Sequence, residues 1–521
     1  MTVDESIQRG IEYHSAGQLQ QAEQIYRQIL QEMPDQPDAL HLLGVIGQQV
    51  GQLETAAEFI ERAIAVQPAA AIYHSNLAEV YRQLGKLNQA EASALRAIEI
   101  DPMMAVAHGH LGLILLDAGR EQEAEASLRQ SLKLAPDVAI VHNNLGAALS
   151  KQGRISEAKT EYLKAINLQH NNAGFLNNAG TAFRQESDID QAMNYWEQAV
   201  AVAPQYADPN WNMALTSLAK GNFEKGWPLY EWRFKSGGGR QFLREYLTPR
   251  WDGADLRDKT IMLYPEQGYG DIVMFARFIP KLAEMGAKVI LHCPAEMVDL
   301  LKGVEGVSQV VPLEDALPDF DTYQALLSLP MVLKTTLKTL PAKVPYIAVD
   351  SNRRAEWTAR IGAYPGKVKV GLYFKGRATP DPSRSVRLAE LAPLGEATGT
   401  SFFSLQTGDG MSELAGAPPE LRVVDLGQHI KDFADTAAAI TNLDLLITID
   451  TAAAHVAGAI GATVWTMIPH IADFRWMLEG ESTPWYPTMR LFRQSRPNDW
   501  SDVIQHLRDE LCHKASPSSK R

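Results

Sequence analysis

Residues 445–465 read LLITIDTAAAHVAGAIGATVW, an apolar run that breaks at Asp450-Thr451 and resumes as a row of small residues. Leu445 to Ile449 has the length and composition of a buried strand, and the alanine-rich stretch after it has those of a helix. A strand running straight into a helix leaves the backbone N–H groups of Thr451, Ala452 and Ala453 unpaired at a helix N-terminus, where an anion is favoured. A capped helix in an ordinary α/β unit has the same pattern, so the rest of the chain must decide between the two.

Outward from this joint, strands and helices alternate. KTIMLYPEQ, AKVILHCP and SQVVPL read as strands, with helices at DIVMFARFIPKLAEMG and EMVDLLKGV. After a connecting segment, 351–366, that contains the helix-like SNRRAEWTARI, VKVGLYF, SFFSLQ and LRVVDL restart the pattern. It ends with helix DFADTAAAITNL, the opening stretch, ATVWTMI and helix DWSDVIQHLRDEL. Such alternation predicts two Rossmann-like parallel-sheet units, 258–350 and 367–512. Ligands bind outside the carboxyl ends of such strands. Two joints obey that rule: IDTAAAH, and EQGYGD at 266–271, where Gly268 and Gly270 free the backbone. Asp271 there is open to two readings, a helix N-cap or a reacting carboxylate.

Upstream, the chain repeats every 34 residues without a gap. Pro34, Pro68, Pro102, Pro136 and Pro204 share one register, interrupted by His170, and Ala22, Ala56, Ala90, Ala124, Ala158 and Ala192 share another. Gly10, Gly44, Gly112, Gly146 and Gly180, with Ala78, form a third. The pattern resembles the tetratricopeptide repeat, an α-solenoid in which small residues let paired helices approach while Tyr26, Leu128, Tyr162 and Trp196 fill the gaps. Six repeats span 3–206, a looser seventh pair extends the solenoid to 235 as its cap, and SGGGR opens a hinge-like linker over 236–257. Asn76, Asn144, Asn178 and Asn212 recur at one position of the first helix, with Leu42 and His110 in the other slots. An amide offers an acceptor and two donors, so this register suits an extended peptide, or else bonds a neighbouring turn as part of the repeat fold.

The whole chain has 521 residues and a net charge of -13, which argues against nonspecific nucleic-acid binding. Two cysteines, Cys293 and Cys512, exclude a disulfide framework and a Cys-rich zinc site. The start MTVDESIQRG lacks the pattern of a signal peptide and no run is long enough to span a bilayer, so a cytoplasmic location is expected. Residues 513–521 read as a disordered tail.

The layout of GYGDIVMFARFIPKL, the strand ending LYFKG, and LDLLITIDTAAAHVAGAIGATVW resembles the GT-B glycosyltransferases of the lipopolysaccharide heptosyltransferase group. DFADTAAAI, DFRWMLEGESTPWYPTMRLFRQ and DW are more specifically similar to bacterial proteins that join tetratricopeptide repeats to such a domain. In layout alone, the chain also resembles the O-linked N-acetylglucosamine transferase. The resemblance implies a metal-independent, inverting transfer from a nucleotide-diphosphate sugar, a co-substrate with no further cofactor, to an acceptor hydroxyl. On matching positions it makes Asp271 the base and puts Lys375, Arg384, Asp450, Thr451 and His455 at the donor site, where Gly270 and the helix-start amides of Ala452 and Ala453 are expected beside them. Alanine at 452 and 453 departs from the glycine of the heptosyltransferases, and Lys375 from the small residue of the repeat-bearing relatives. Trp485 and Tyr486 read as packing, or as a stacking surface for a sugar or base. Three functions remain open: protein glycosylation with the acceptor in the repeat groove, transfer to a glycan or lipid, and a repeat scaffold without catalysis.

Overall fold

The computed structural model describes residues 2–237, 239–266, 268–377 and 382–516. The chain forms two compact units, Met1–Tyr206 and Ala207–Arg521.

Six helix pairs build the first unit among its described residues, from Val3–Ser15 with Leu19–Glu32 to Ala173–Gln185 with Ile189–Val202. This is a tetratricopeptide-type array, and its registers explain its packing. A side chain at Gly146 would come within 2.7 Å of the Tyr162 ring, and one at Gly180 within 2.6 Å of Trp196, so glycine lets these pairs close over a large ring. Each pair turns through one left-handed residue. Glycine serves at 17, 51, 85, 119 and 153, with φ between 71° and 78°, and Ser187 takes the sixth place at φ 64°. The prolines that follow the second helices are pinned from the next helix. The Nε2–H of His74, His108 and His142 donates to the carbonyls of Pro68, Pro102 and Pro136 at 3.0, 3.0 and 2.8 Å.

The second unit begins with a helix pair, Ala207–Ala219 and Phe223–Tyr230. Its sequence continues the repeat, and Gly221 keeps the left-handed turn at φ 76°. The pair nevertheless belongs to the C-terminal core rather than to the solenoid that was expected to run to 235. Trp227 meets Phe275, Phe474 and Trp485 edge-on at 6.1, 6.1 and 6.2 Å, and these large rings outweigh the small-residue contacts of the repeat registers. Nor is 236–257 an open linker. Trp251 and Leu256 are buried, the Trp251 amide donates to the Tyr323 carbonyl, and Arg250 Nε donates to Gln324.

Among the described residues, ten strands form two parallel sheets. The first holds β1 (Thr260–Tyr264), β2 (Lys288–Cys293), β3 (Val307–Pro312) and β4 (Thr322–Ala325) in the order β3-β2-β1-β4. The second holds β5 (Val368–Tyr373), β6 (Thr400–Ser404), β7 (Val424–Asp425), β8 (Leu445–Ile449), β9 (Val464–Ile468) and β10 (Met489–Arg493) in the order β10-β9-β8-β5-β6-β7. The predicted strands are all present, and β4 and β10 are additions. Helix Ser351–Gly362 connects the sheets, and helix Ser501–Ala515 runs beyond the boundary expected at 512. Of the predicted tail, 517–521 lie outside the described residues, as do Gly238 of the hinge and Gln267 of the first joint. In each sheet the strand order reverses beside its first strand, between β1 and β4 and between β5 and β8, and crevices open at such switch points.

Candidate functional site

The two joints that follow β1 and β8 meet. Helix Tyr269–Phe275 starts at Gly268, which sits at φ 76° and supplies no side-chain cap. It crosses helix Ala452–Ala459 at Gly270, where an added Cβ would lie 2.6 Å from His455 Cδ2 and 3.5 Å from the Ala452 Cα. Gly270 therefore serves the close approach of two helices. Tyr269 packs on Phe433 at 4.9 Å, and the Arg377 guanidinium lies 5.2 Å over its ring.

Asp271 is not the N-cap. It lies in the first turn, and its Oδ1 accepts from Arg475 Nη2, while Arg475 Nη1 donates to Asp473 Oδ1 at 2.5 Å. A helix N-terminus by itself lowers a carboxyl pKa. Burial instead pushes it up to about 6, against the pull of Arg475 and with help from Asp473 and Glu266. Asp450 is shifted in the same direction, first by burial and then by Asp473, with Trp476, Arg475 and Arg384 opposing. Burial also works against the charge on Arg475, but Asp271 and Asp473 outweigh it.

His455 is enclosed. Its Nδ1 is 2.9 Å from the Tyr486 hydroxyl, its ring stacks on Trp476 at 5.2 Å, and it is 4% exposed. Burial, then Arg475 and Arg277, hold its pKa far below the ordinary imidazole value, so the ring is neutral. Trp485 and Tyr486 are both fully buried, which leaves them packing and removes the stacking reading.

Thr451 is the N-cap of helix Ala452–Ala459, with no side-chain cap bond; its hydroxyl leans back toward the Ile449 carbonyl at 3.5 Å and Thr448 at 3.4 Å. The amide end of this helix is thus uncapped by its own cap residue, with Ala452 partly exposed and Ala453 buried. Lys375, after β5, pairs with Glu413 at 3.0 Å. Arg384 Nη2 donates to the Arg377 carbonyl at 3.3 Å, and its Nε is buried without a partner among the described residues. No group of three or more His, Cys, Asp or Glu among the described residues is placed to hold a metal ion.

Sequence reasoning missed Arg475. It lies in DFRWMLEGESTPWYP, where the aromatic residues drew attention and an arginine between Phe474 and Trp476 carried no motif.

The Asn register bonds from repeat to repeat. Asn76 Nδ2 donates to His41 Nε2 at 2.8 Å, and Asn178 Nδ2 donates to Asn143 Oδ1 at 2.9 Å. Asn143 in turn donates to Asn144 at 3.3 Å, and His110 Nδ1 lies 2.9 Å from the Ser75 carbonyl. Each amide bond to the preceding repeat uses one N–H and orients the rest of the amide. Asn76, Asn144 and Asn178 belong to the first unit and Asn212 to the second.

Residues 6–174 match the family described as Cilia and flagella-associated protein 70 C-terminal domain. Protein FlbA of Caulobacter vibrioides is 29% identical over 325 residues, covering 57% of this chain and 54% of that protein. The chain thus spans about half the length of this curated relative. The matched share is more than Met1–Tyr206 contains, so the likeness reaches into the C-terminal unit. Among solved structures, Pseudomonas aeruginosa pilF is 23% identical, covering 41% of this chain and 96% of its own, with a TM-score of 0.37. Cut9–Hcn1, an APC/C hetero-tetramer, is 18% identical, covering 43% and 45%, with a TM-score of 0.41. YrrB, titled a TPR protein with an unusual peptide-binding site, is 17% identical, covering 36% and 98%, with a TM-score of 0.30.

Proposed function

We propose that this chain is a glycosyltransferase that takes a sugar from a nucleoside diphosphate at the end of β8 and passes it to a hydroxyl of a polypeptide held by the repeat array. The observation that carries this reading is the meeting of the two joints, with Gly270 against Ala452 and His455 at the carboxyl ends of β1 and β8. Asp271, with its pKa raised to about 6, has the poise of a general base near neutral pH. The uncapped amides at Ala452 and Ala453, with Arg384 near Asp450, are the groups to receive the diphosphate.

The test incubates the full chain with a panel of nucleotide sugars and EDTA, measures nucleoside diphosphate release, and weighs candidate acceptor proteins before and after. Release with one sugar class, mass gain on a protein, and a fall of about 100-fold or more in Asp271→Asn are expected. Release without protein modification would favour a glycan or lipid acceptor. The ion pair that ties Asp271 to Arg475 favours a second reading, a repeat scaffold whose C-terminal unit does no chemistry. Absence of both nucleotide binding and release would decide for it.

A further inference from the structure

Arg475 reaches the crossing from a short turn, Phe474–Trp476, and is fixed along its whole length. One oxygen of Asp473, Oδ1, accepts from both the Arg475 amide at 3.1 Å and Nη1 at 2.5 Å. The guanidinium lies 4.4 Å over the Phe474 ring, and the Arg475 carbonyl accepts from Thr483 Oγ1 at 2.8 Å. The other terminal nitrogen, Nη2, donates to Asp271 Oδ1. Both partners are largely enclosed, the Arg475 side chain 12% exposed and that of Asp271 21%.

We propose that Arg475 is the positioning residue of this site, holding Asp271 ionised and in one orientation while Asp473 anchors the guanidinium. The inference rests on reading Asp271 as the base. A buried carboxyl without a cation would keep its proton at neutral pH and could not accept one from a hydroxyl. The pair with Arg475 brings Asp271 back to about 6, where both forms are within reach. The groups that act on Asp271 are Arg475 and, on the opposing side of the balance, Asp473 and Glu266, with Tyr230 also coupled to it. From the crossing helix, His455 faces the same turn as a neutral ring.

The experiment is a titration of the Asp271 carboxyl by infrared difference spectroscopy on the full chain, with Asp271→Asn identifying the band. Arg475→Gln should raise the midpoint by about one to three pH units, because an opposite charge at this range lowers a carboxyl pKa by that much. Arg475→Lys, which keeps the charge, should restore most of the shift. Where Arg475→Gln does not fold, Arg475→Met keeps the volume beside Phe474 and gives the same reading. A folded variant with an unchanged midpoint would overturn the proposal and leave Arg475 a packing residue. Since the titration uses no substrate, failure of every nucleotide sugar would sink the proposed reaction and still leave the pairing decided.

Discussion

At Asp271 the fold works against its own charge, and that has a sign in pH. The carboxyl titrates at about 6 in the folded chain, against an ordinary value of about 3.9 unfolded. Between those values the folded state holds a proton that the unfolded state has released, so stability is lost as pH rises through that window. The shift corresponds to at most about 3 kcal/mol. Asp271→Asn removes the titration, so its stability relative to the wild type should improve by about 2 to 3 kcal/mol between pH 4 and pH 7. Urea unfolding followed by tryptophan fluorescence reads this directly, because nine of the ten tryptophans lie in the C-terminal unit. A difference that stays flat with pH would show that Asp271 is not shifted. The sequence places this residue at a helix start, as the structure does; a helix start alone would lower its pKa, and burial raises it instead. The charged groups that act on it, Arg475 and Asp473, lie far off in the chain, the first of them 204 residues further on, and no local pattern records them.

At the scale of elements, two backbone positions make opposite predictions. Gly270→Ala would drive a methyl group into the His455 ring at the crossing of the two helices, so it should cost about 1 to 3 kcal/mol in the same fluorescence assay. Unaltered stability would mean that the helices part easily. Ser187, by contrast, occupies a turn that is glycine in the other repeats of the array. Ser187→Gly should stabilise the N-terminal unit by about 0.5 to 1 kcal/mol, seen as slower amide exchange in the last helix pair. The 34-residue period made every repeat helix legible, since each register recurs with the same neighbour to meet. β4 and β10 were not legible for the opposite reason. TYQA is too short to show alternation, and MRLFR carries two arginines. Their strand character comes from pairing with β1 and β9. The Asn register was visible too, but not its bonds to His41 and Asn143, which depend on how successive repeats stack.

At the scale of the molecule, the division after Tyr206 separates what the repeat pattern joins. Helices Ala207–Ala219 and Phe223–Tyr230 have the sequence of a seventh repeat and the packing of a C-terminal core. A fragment starting at Ala207 should therefore give a cooperative unfolding transition and a native near-UV circular dichroism spectrum. One starting at 236 should not, because it uncovers Phe275, Phe474 and Trp485 where Trp227 and Phe223 had covered them. Equal behaviour of the two fragments would return the helix pair to the solenoid.

Arg277 lies beneath this site, 2% exposed, donating to the carbonyls of Met274, Pro341 and Trp485 and to the Tyr346 hydroxyl, and forming no ion pair among the described residues. A fixed charge of this kind, in a box of Tyr346, Trp485 and Tyr486, adds to the burial that keeps His455 uncharged. It makes the imidazole a built-in gauge: its proton resonances should stand still across the pH range in which exposed histidines move. Any displacement of them when a nucleotide is added then reads contact at the crossing, free of the protonation changes that confuse histidine signals elsewhere.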